Sequence, residues 1–342
     1  MKAIVFRSDD PQLRLVDRPK PEAQQGEVLV QVAVSGVNPT DWKGRRNAYA
    51  GTPRGVDLVP NQDGAGTIVA LGPGVTDHHV GERVWVWEAG RQRTGGTAQE
   101  FVALPSRHAV TLPDSATFDL GASIAIPAIT AHRCLTVAEN GPSQLAPRAL
   151  DGRTVLVAGG AGAVGHAAIE LARWAGATVI TTVSSPEKAA LASAAGAHTV
   201  INYRDGETAS KIRDAARDGV DIVVEVAPSA NAELDTAVLA LGGTVAAYAS
   251  TTDQPAASLS VRELMTRNVR WQFVLVYTMP DAAKSLAIAA VSAALADGVL
   301  RVGDAAGLPL HHFSLADTAA AHDAVENGAV GKVLISVGES TN

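Results

Sequence analysis

The sequence predicts a two-domain α/β protein in which a β-rich region is followed by a parallel, doubly wound sheet. Its 342 residues are enough for two separate cores. Residues 1 to about 115 contain short β-type runs separated by Gly and Pro, which is typical of an irregular β-barrel. From Thr154 onward, buried-type strands alternate with helices, which is the pattern of a parallel sheet covered on both faces.

The β-rich region is defined by runs in which apolar and polar residues tend to alternate. The segments PNQDGAG and LGPGVTDHHVGE contain the residues that turns favour. No long helix is predicted before residue 118. The four runs that we predict as strands are Val28–Val34, Gly66–Gly72, Arg83–Trp87 and Glu100–Leu104.

The second region opens with an Ala-rich apolar segment, Asp119–Glu139, that predicts a buried helix. The strands TVLVAG, TVITTV, DIVVEV, GGTVAAYAS and VRWQFVLVY follow, and KVLISV closes the chain. The predicted helices are Val164–Trp174, Pro186–Ala195, Asn231–Leu241, Asp281–Asp297 and one around Leu315–Glu326.

The composition excludes several classes of protein. With 46% hydrophobic and 18% charged residues, the chain is not expected to be disordered. A net charge of −7 and scattered Lys and Arg argue against nucleic acid as a partner. The single cysteine, Cys134, excludes an intrachain disulfide and a four-cysteine zinc lobe. Since no apolar run approaches the roughly 20 residues that cross a bilayer, we expect no membrane association and a cytoplasmic location.

The strongest motif is a glycine-rich turn, Gly160-x-Gly162-x-x-Gly165, between a predicted strand and a predicted helix. In dinucleotide-binding folds the first glycine permits the tight turn and the second lets the backbone approach the pyrophosphate. The third lets helix and strand pack closely, and the helix N-terminus presents free N–H groups to the phosphates. A tight connection without a ligand is the alternative interpretation.

The end of the next strand indicates which dinucleotide binds. Folds that prefer NAD usually carry an acidic residue about 20 positions on, which holds the ribose 2′-hydroxyl. Here the strand ends in TTVSSPEK, with the hydroxyls of Ser184 and Ser185 and the cation of Lys188, while Tyr203–Arg204 follow the third strand. Hydroxyls and a cation can accept a 2′-phosphate, so we predict NADPH. A helix start capped by Ser185 is an interpretation that can hold at the same time.

Several segments together resemble the zeta-crystallin-like quinone oxidoreductases, a zinc-free branch of the medium-chain dehydrogenases and reductases. The resemblance covers nearly the whole chain. It implies a GroES-like β-barrel catalytic domain, residues 1–124 and 278–342, and a Rossmann NADPH-binding domain, residues 125–277, with the cofactor in the cleft between them. The segments are SGVNPTDWKGRRNAY, PNQDGAGTIVALGPGVTDHHVGERV, GGAGAVG, SSPEKAALASAAGAHTVINYR and GKVLISV.

The chain departs from the zinc alcohol dehydrogenases of the same superfamily. Where they have a cysteine, this chain has Asn38, and where they have a His-Glu pair it has Gln62-Asp63. Amides are poor zinc ligands, so no metal is expected. A quinone is itself an electrophile, and hydrogen bonds to the developing oxyanion suffice. We predict Asn38 and Tyr49 as catalytic donors. Alternatively, Asn38 caps a turn with Pro39. For Asp41, beside Asn38, two roles stay open: a buried structural carboxylate that orients the loop, and a catalytic group.

The resemblance also implies the cofactor contacts. Tyr49 and Thr130 lie near the nicotinamide end, and Asn231 lies near the adenosine ribose. The segment PNQDGAG lacks the more usual glycine before the acidic residue, and we expect Gln62 to alter the mouth of the substrate pocket. The remaining implied contacts are Ala161, Gly162, Ala163 and Val164 at the pyrophosphate, Ser184, Lys188 and Tyr203 at the 2′-phosphate, and Ser250, Phe273, Val274, Leu275 and Val276 in the nicotinamide pocket.

The predicted function is the two-electron reduction of a quinone by NADPH. Reduction of the activated carbon–carbon double bond of an enal or enone is an alternative, since both acceptors are flat and conjugated. A non-catalytic protein is a third possibility, because members of the resembled family serve as lens proteins and some bind RNA. The intact glycine turn argues for cofactor binding. The resemblance further implies a homodimer, in which the strand VRWQFVLVY would find a partner for its apolar edge.

Overall fold

The computed structural model describes residues 1–47, 55–250 and 256–337, and the chain divides into two compact units. Unit 1 contains residues 1–126 and 309–342, and unit 2 contains residues 127–308. The first boundary lies close to the predicted one at 124/125. Residues 278–308, which the predicted domains place with the catalytic domain, pack in unit 2. One reason is Arg301, whose Nε lies 3.0 Å from the buried carboxylate of Glu170.

The predicted strands are present in the described residues with shifted ends. The strands Lys2–Arg7, Asp10–Asp17, Ala109–Thr111 and Leu310–Ser314 were not predicted. The predicted Arg83–Trp87 run ends at Val86, and VRWQFVLVY keeps strand geometry only over Arg270–Phe273. The strands are β1 (Lys2–Arg7), β2 (Asp10–Asp17), β3 (Glu27–Val37), β4 (Asp63–Leu71), β5 (Arg83–Val86), β6 (Phe101–Pro105), β7 (Ala109–Thr111), β8 (Thr154–Ala158), β9 (Thr178–Val183), β10 (Thr199–Asn202), β11 (Val220–Glu225), β12 (Leu239–Ala247), β13 (Arg270–Phe273), β14 (Leu310–Ser314) and β15 (Lys332–Ser336).

The helices confirm the predicted alternation and include three short ones that the sequence did not predict: Pro39–Asn47 in unit 1, and Thr208–Ala215 and Val261–Thr266 in unit 2. The helix after β11 starts at Pro228, before the predicted Asn231, because proline is favoured in a first helical turn. The helices are α1 (Pro39–Asn47), α2 (Phe118–Leu135), α3 (Ala163–Trp174), α4 (Pro186–Ala194), α5 (Thr208–Ala215), α6 (Pro228–Val238), α7 (Val261–Thr266), α8 (Asp281–Ala296) and α9 (Thr318–Glu326).

Unit 1 is built on a mixed sheet with the strand order β14–β15–β3–β4–β5–β7, and β6 also pairs with β3. β14 and β15 are parallel, and β15 pairs antiparallel with β3, so the last strand of the described residues lies beside an early one. Val333 is opposite Val37 in this pairing. The register therefore places Lys332, at the start of β15, close to the segment that follows β3.

Unit 2 is built on a parallel sheet with the order β10–β9–β8–β11–β12–β13. Its inner strands are almost entirely buried, as expected when helices cover both faces. The chain moves outward from β8 to β10 and then returns to β11 on the other side of β8. Strand order therefore reverses between β8 and β11, and such switch points are where open α/β sheets bind ligands.

The apolar residues of each unit lie where the strand pattern directs them. In unit 1 the core includes Ile4, Val30, Ile68 and Leu104, all at most 2% exposed. In unit 2 the core is centred on the sheet strands, whose central residues are also buried. No helix in the described part of the chain combines the length and apolar character needed to cross a bilayer.

Candidate functional site

Most predicted cofactor residues of unit 2 lie just beyond the carboxyl ends of parallel strands. β8 ends at Ala158 and leads into the glycine turn, and β9 ends at Val183 and leads into Ser184. Asn202, the last residue of β10, is opposite Val183, so Tyr203 follows the strand next to the one that precedes Ser184. The parallel register thus brings the glycine turn and the predicted 2′-phosphate residues to one edge of the sheet. We call it the carboxyl edge.

The glycine turn contains two glycines that packing requires and one that it does not. A Cβ at Gly160 would lie 2.2 Å from Thr181 Oγ1, and one at Gly165 would lie 2.4 Å from the Gly159 carbonyl. A Cβ at Gly162 would meet nothing closer than 3.5 Å, and Gly162 is exposed. Packing within the chain therefore explains Gly160 and Gly165, whereas Gly162 leaves room for an external group.

The left-handed backbone of this turn lies one residue earlier than the fingerprint suggests. Gly159 has φ of 73°, whereas Gly160 is not in the left-handed region. Helix α3 then begins at Ala163, with Gly162 as its N-cap and no side-chain capping bond. The first N–H groups of an uncapped helix have no intrahelical acceptor, so they are available to an anion.

The Ser-Ser-Pro-Glu-Lys segment combines a helix cap with a paired cation and hydroxyl. Ser185 Oγ accepts the backbone N–H of Lys188 at 3.3 Å, with Pro186 in the first turn of α4. Lys188 Nζ donates to Ser184 Oγ at 3.0 Å. Tyr203, on the neighbouring connection, is 49% exposed. The segment therefore starts a helix, and it also places an ammonium beside a hydroxyl at the carboxyl edge.

Asn231 is engaged inside unit 2. Its Nδ2 donates to the Glu225 carboxylate, at 3.0 Å from Oε1 and 3.2 Å from Oε2. Asp235 lies near the same carboxylate, and burial together with the Glu225 charge raises the pKa of Asp235 well above its ordinary value. The Asn231 amide therefore supports the buried Glu225–Asp235 pair. A contact with the adenosine ribose, as predicted, would use the same amide group.

The other predicted nicotinamide residues differ in exposure. Phe273 and Leu275 are 66% and 50% exposed, whereas Val274 and Val276 are buried. Neighbours in this run therefore face opposite sides of the backbone. Thr130 is buried in α2, and Ser250 is exposed after β12.

In unit 1, Asn38 lies at the start of α1. Asp41 Oδ2 accepts the Asn38 backbone N–H at 2.7 Å, which is the reciprocal contact of a capping box. This bond gives Asp41 a structural role, one of the two that the sequence left open. Tyr49, the second predicted donor, lies outside the described residues.

The Asn38 side chain is held on both sides by charged groups. Its Nδ2 donates to Asp63 Oδ2 at 2.7 Å, and its Oδ1 accepts from Lys332 Nζ at 2.7 Å. Lys332 Nζ is also 3.6 Å from Asp63 Oδ2. Asp63 further accepts the backbone N–H of Ile126 at 3.2 Å. We call Asn38, Asp41, Asp63 and Lys332 the polar cluster, and each is at most 4% exposed.

Burial dominates the electrostatics of the polar cluster. It raises the pKa of Asp63 to about 6, although Lys332 and the Asn38 amide oppose the shift. It raises the pKa of Asp41 to about 8, with the Asp63 charge adding to the effect. Burial lowers the pKa of Lys332, and the Asp63 charge opposes that. The arrangement pairs Lys332 with Asp63 and favours a neutral Asp41, whose Oδ1 has no hydrogen-bond partner among the described residues.

The polar cluster does not fit a zinc ion. Asn38 Oδ1, at the position of the zinc relatives' cysteine, faces an ammonium that would repel a dication. Gln62 Oε1 accepts the Gly90 N–H at 3.1 Å instead of facing this group. Within residues 1–47, 55–250 and 256–337, no group of three or more His, Cys, Asp or Glu side chains could hold a metal ion.

Comparison with known proteins gives the family. Residues 24–114 match the alcohol dehydrogenase GroES-like domain, and residues 163–293 match the zinc-binding dehydrogenase family. The quinone oxidoreductase of Lama guanicoe is 30% identical over 92% of this chain and 90% of its own. That of Rattus norvegicus is 34% identical over 72% of each chain. This chain belongs to the quinone oxidoreductase family.

A solved structure supports the same assignment. A mycobacterial protein in complex with NADPH superposes with a TM-score of 0.80 at 29% identity, over 98% of this chain and 99% of the other. Membership in the quinone oxidoreductase family of the medium-chain dehydrogenases and reductases confirms the resemblance noted from sequence. The predicted fold, a GroES-like domain with a doubly wound parallel sheet, is confirmed as well.

Two residues of the site were missed by sequence reasoning. Lys332 lies in the segment GKVLISV, and a lysine at the start of a buried strand was the available signal. Asn61, the residue before Gln62, has a left-handed φ of 74°, and sequence reasoning gave it no role. Asn is among the few residues that tolerate this conformation.

Proposed function

We propose that this member of the quinone oxidoreductase family reduces a quinone with NADPH and without zinc. The observation that carries the proposal is the carboxyl edge, where Gly162 leaves open space beside an uncapped helix start and Lys188 lies against Ser184. The mycobacterial relative solved with NADPH supports the choice of cofactor.

The residues of the carboxyl edge fit this cofactor. Ala161 to Val164 would hold the pyrophosphate through the glycine turn and the start of α3. Lys188 and the hydroxyls of Ser184 and Tyr203 would hold the 2′-phosphate, because charge-assisted hydrogen bonds to phosphate are the stronger ones. Bound NADPH supplies the hydride, and hence both electrons, to the acceptor.

We assign the hydrogen bond to the acceptor to Asn38. The Asn38 amide oxygen accepts from Lys332, and one N–H of the amide nitrogen donates to Asp63. A half-turn of the amide would therefore break both hydrogen bonds. The second N–H of Nδ2 is thereby given a fixed direction. A preoriented donor stabilises negative charge as it develops on a carbonyl oxygen. Tyr49 is the second proposed donor, on the family resemblance.

The same geometry supports the proposed zinc independence, because Lys332 Nζ is bonded to the Asn38 amide oxygen. The purified protein is expected to contain no stoichiometric zinc and to keep its activity after exhaustive chelation. Stoichiometric zinc by elemental analysis, with activity lost on its removal, would contradict the proposal.

The activity is tested by following NADPH oxidation with three acceptors side by side: a small quinone, a large quinone and an unsaturated aldehyde. We expect the small or large quinone to give the highest kcat/KM. A higher kcat/KM with the aldehyde would identify an enal reductase, and no oxidation with any acceptor would indicate a cofactor-binding protein without catalysis.

We also propose a homodimer, formed through the edge of unit 2 at β13. β13 is an edge strand, and unpaired apolar edges favour pairing with another chain. Sedimentation is expected to give twice the chain mass of 35.1 kDa. A cytoplasmic location is proposed from the single cysteine, which is buried. The large apolar side chains exposed near this edge are Leu241, Val261, Met265, Phe273 and Leu275.

A further inference from the structure

A chain of buried hydrogen bonds crosses unit 1 from α9 to Asp63. His322 Nε2 lies 2.9 Å from Asn61 Oδ1, and Asn61 Nδ2 lies 2.9 Å from Ser35 Oγ. Ser35 Oγ lies 2.7 Å from Thr97 Oγ1, which lies 2.5 Å from the Asp63 carbonyl oxygen. All five residues are at most 1% exposed, so water does not compete for these bonds.

The chemistry of each group gives this chain one direction. The Asp63 carbonyl can only accept, so the Thr97 hydroxyl donates its single hydrogen there. Thr97 Oγ1 must then accept from the Ser35 hydroxyl. Ser35 Oγ accepts from the Asn61 amide nitrogen, which leaves the Asn61 amide oxygen to accept from His322.

The direction of the hydrogen-bond chain fixes the tautomer of the His322 ring. Its ring must carry a hydrogen on Nε2. Burial, together with the nearby Arg45 charge, lowers the pKa of His322 to about 3, so the ring is neutral near pH 7. His322 Nδ1 has no hydrogen-bond partner among the described residues, so a hydrogen on that atom would have no acceptor there.

The hydrogen-bond chain ends at the segment that carries Gln62 and Asp63. Asn61 is also tied to Thr97 through the backbone, because the Thr97 N–H donates to the Asn61 carbonyl at 3.0 Å. Asp63 is thus held at its backbone by Thr97 and at its carboxylate by Asn38 and Lys332. A shift of Asp63 would move the group that orients the Asn38 amide.

We propose that His322 is a positioning residue, which holds Asn38 in its donor geometry through Asn61, Ser35, Thr97 and Asp63. The inference rests on the proposed function, because it takes Asn38 as the donor to the acceptor. It assigns a role to α9, which sequence reasoning left without one.

Asn61→Gly and Thr97→Val break the hydrogen-bond chain at two points. Glycine adopts the left-handed φ of Asn61 without strain, so this variant removes the side-chain link without backbone strain, although it leaves the space of the amide unfilled. Valine replaces threonine with similar volume but has no hydroxyl. Thr97→Ser keeps the hydroxyl and is the rescue variant. Thr236→Val is the matched control, since Thr236 is a buried threonine of unit 2 with a local bond to the Ala232 carbonyl.

The readouts are kcat and KM for a small quinone, the Kd of NADPH and the unfolding temperature. Asn61→Gly and Thr97→Val are expected to lower kcat about tenfold, because small misplacements of a donor are costly. The Kd of NADPH should stay within about twofold of wild type, and Thr97→Ser and Thr236→Val should keep kcat within about twofold. Wild-type kcat in both chain-breaking variants, with folded protein, overturns the proposal.

If a variant fails to fold, NMR of the wild-type imidazole nitrogens tests the hydrogen-bond chain on which the proposal depends, and it does not depend on activity. His322, assigned by comparison with His322→Gln, is expected to show Nε2–H and an unprotonated Nδ1 near pH 7. An Nδ1–H tautomer or a doubly protonated ring overturns the direction of the chain. If the wild-type protein shows the expected tautomer but reduces no quinone, the proposed function fails while the hydrogen-bond chain stands.

Discussion

The polar groups of the polar cluster in unit 1 are buried, whereas those of the carboxyl edge in unit 2 are available to a ligand. In the cluster, Asn38, Asp63 and Lys332 are buried and satisfy one another. At the edge, Gly162 and Tyr203 are exposed, and the start of α3 has no side-chain cap. The comparison shows that a group that must keep one orientation is enclosed, whereas groups that must receive a charged ligand are left available.

The largest expected effect comes from breaking the buried pair. Lys332→Met leaves the Asp63 charge without its cation and should lower the free energy of unfolding by about 3–5 kcal/mol. The double variant Asp63→Asn/Lys332→Met removes both charges and should recover much of that loss. Urea unfolding measures both. A loss below about 1 kcal/mol for Lys332→Met would mean that the pair behaves like an exposed one.

The glycine turn separates packing from binding. Gly160→Ala places a Cβ against Thr181 and should lower the unfolding free energy by about 1–3 kcal/mol. Gly162→Ala should unfold like wild type but bind NADPH about tenfold more weakly, because the Cβ occupies space proposed for the pyrophosphate. Thermal unfolding and fluorescence titration check the pair. Wild-type NADPH affinity in Gly162→Ala would show that the open space is not used.

The proposed donors are tested by Asn38→Ala and Tyr49→Phe. Loss of one oxyanion donor costs about 10²–10³ in rate in acyl-transfer enzymes, and quinones are more reactive, so we expect a fall in kcat of about tenfold. The Kd of NADPH should change less than kcat in both variants. Steady-state kinetics and cofactor titration give the two quantities. Unchanged kcat in both folded variants would assign these residues to structural roles.

The smallest expected effect concerns acid stability. The folded pKa of His322, about 3, lies below its ordinary 6.5, so the unfolded chain binds a proton that the folded one does not. The stabilising contribution is complete above pH 6.5 and falls as pH decreases, by at most about 1.4 kcal/mol per pH unit. Between about pH 6.5 and about pH 5, wild type should therefore lose more stability than His322→Gln.

The difference in pH dependence between wild type and His322→Gln reports on His322 alone. Burial lowers the pKa of His132 to about 4, so His132 also loses its stabilising contribution as pH decreases, but it is present in both wild type and His322→Gln. Asp63 changes stability with pH in the opposite direction, because a raised pKa means that its stabilising contribution is lost as pH increases towards about 6. Unfolding free energies at the two pH values give the answer. Equal pH dependence in wild type and His322→Gln would show that the pKa of His322 is not lowered in the folded state.

The sequence predicted the carboxyl edge better than the polar cluster, for a physical reason. Strand and helix periods place Gly162, Ser184 and Tyr203 directly after strands, and a parallel sheet brings such positions together. The polar cluster depends on contacts between distant parts of the chain: Lys332 is 294 residues from Asn38, and His322 is 261 residues from Asn61. No local pattern encodes these pairings.

Helix α1 escaped prediction for a different reason. Its sequence, PTDWKGRRN, is short and polar and shows no apolar stripe of helical period. Its start depends on Pro39 in the first turn and on Asp41 as a cap, and these signals equally fit a turn. The structural role of Asp41 therefore became visible only with the hydrogen bond to Asn38.

The cofactor preference tests the central claim most directly, through the Kd of NADPH and NADH at two salt concentrations. Wild type should prefer NADPH, with Lys188 contributing most and Ser184, Tyr203 and Arg204 assisting. Lys188→Glu should weaken NADPH by about tenfold or more, leave NADH nearly unchanged and flatten the salt dependence of the preference. Arg213→Glu, an equal charge change at an exposed site in the last turn of α5, should preserve the preference. If wild type binds NADH as tightly as NADPH, the Ser-Ser-Pro-Glu-Lys segment is only a helix start, and the account is contradicted.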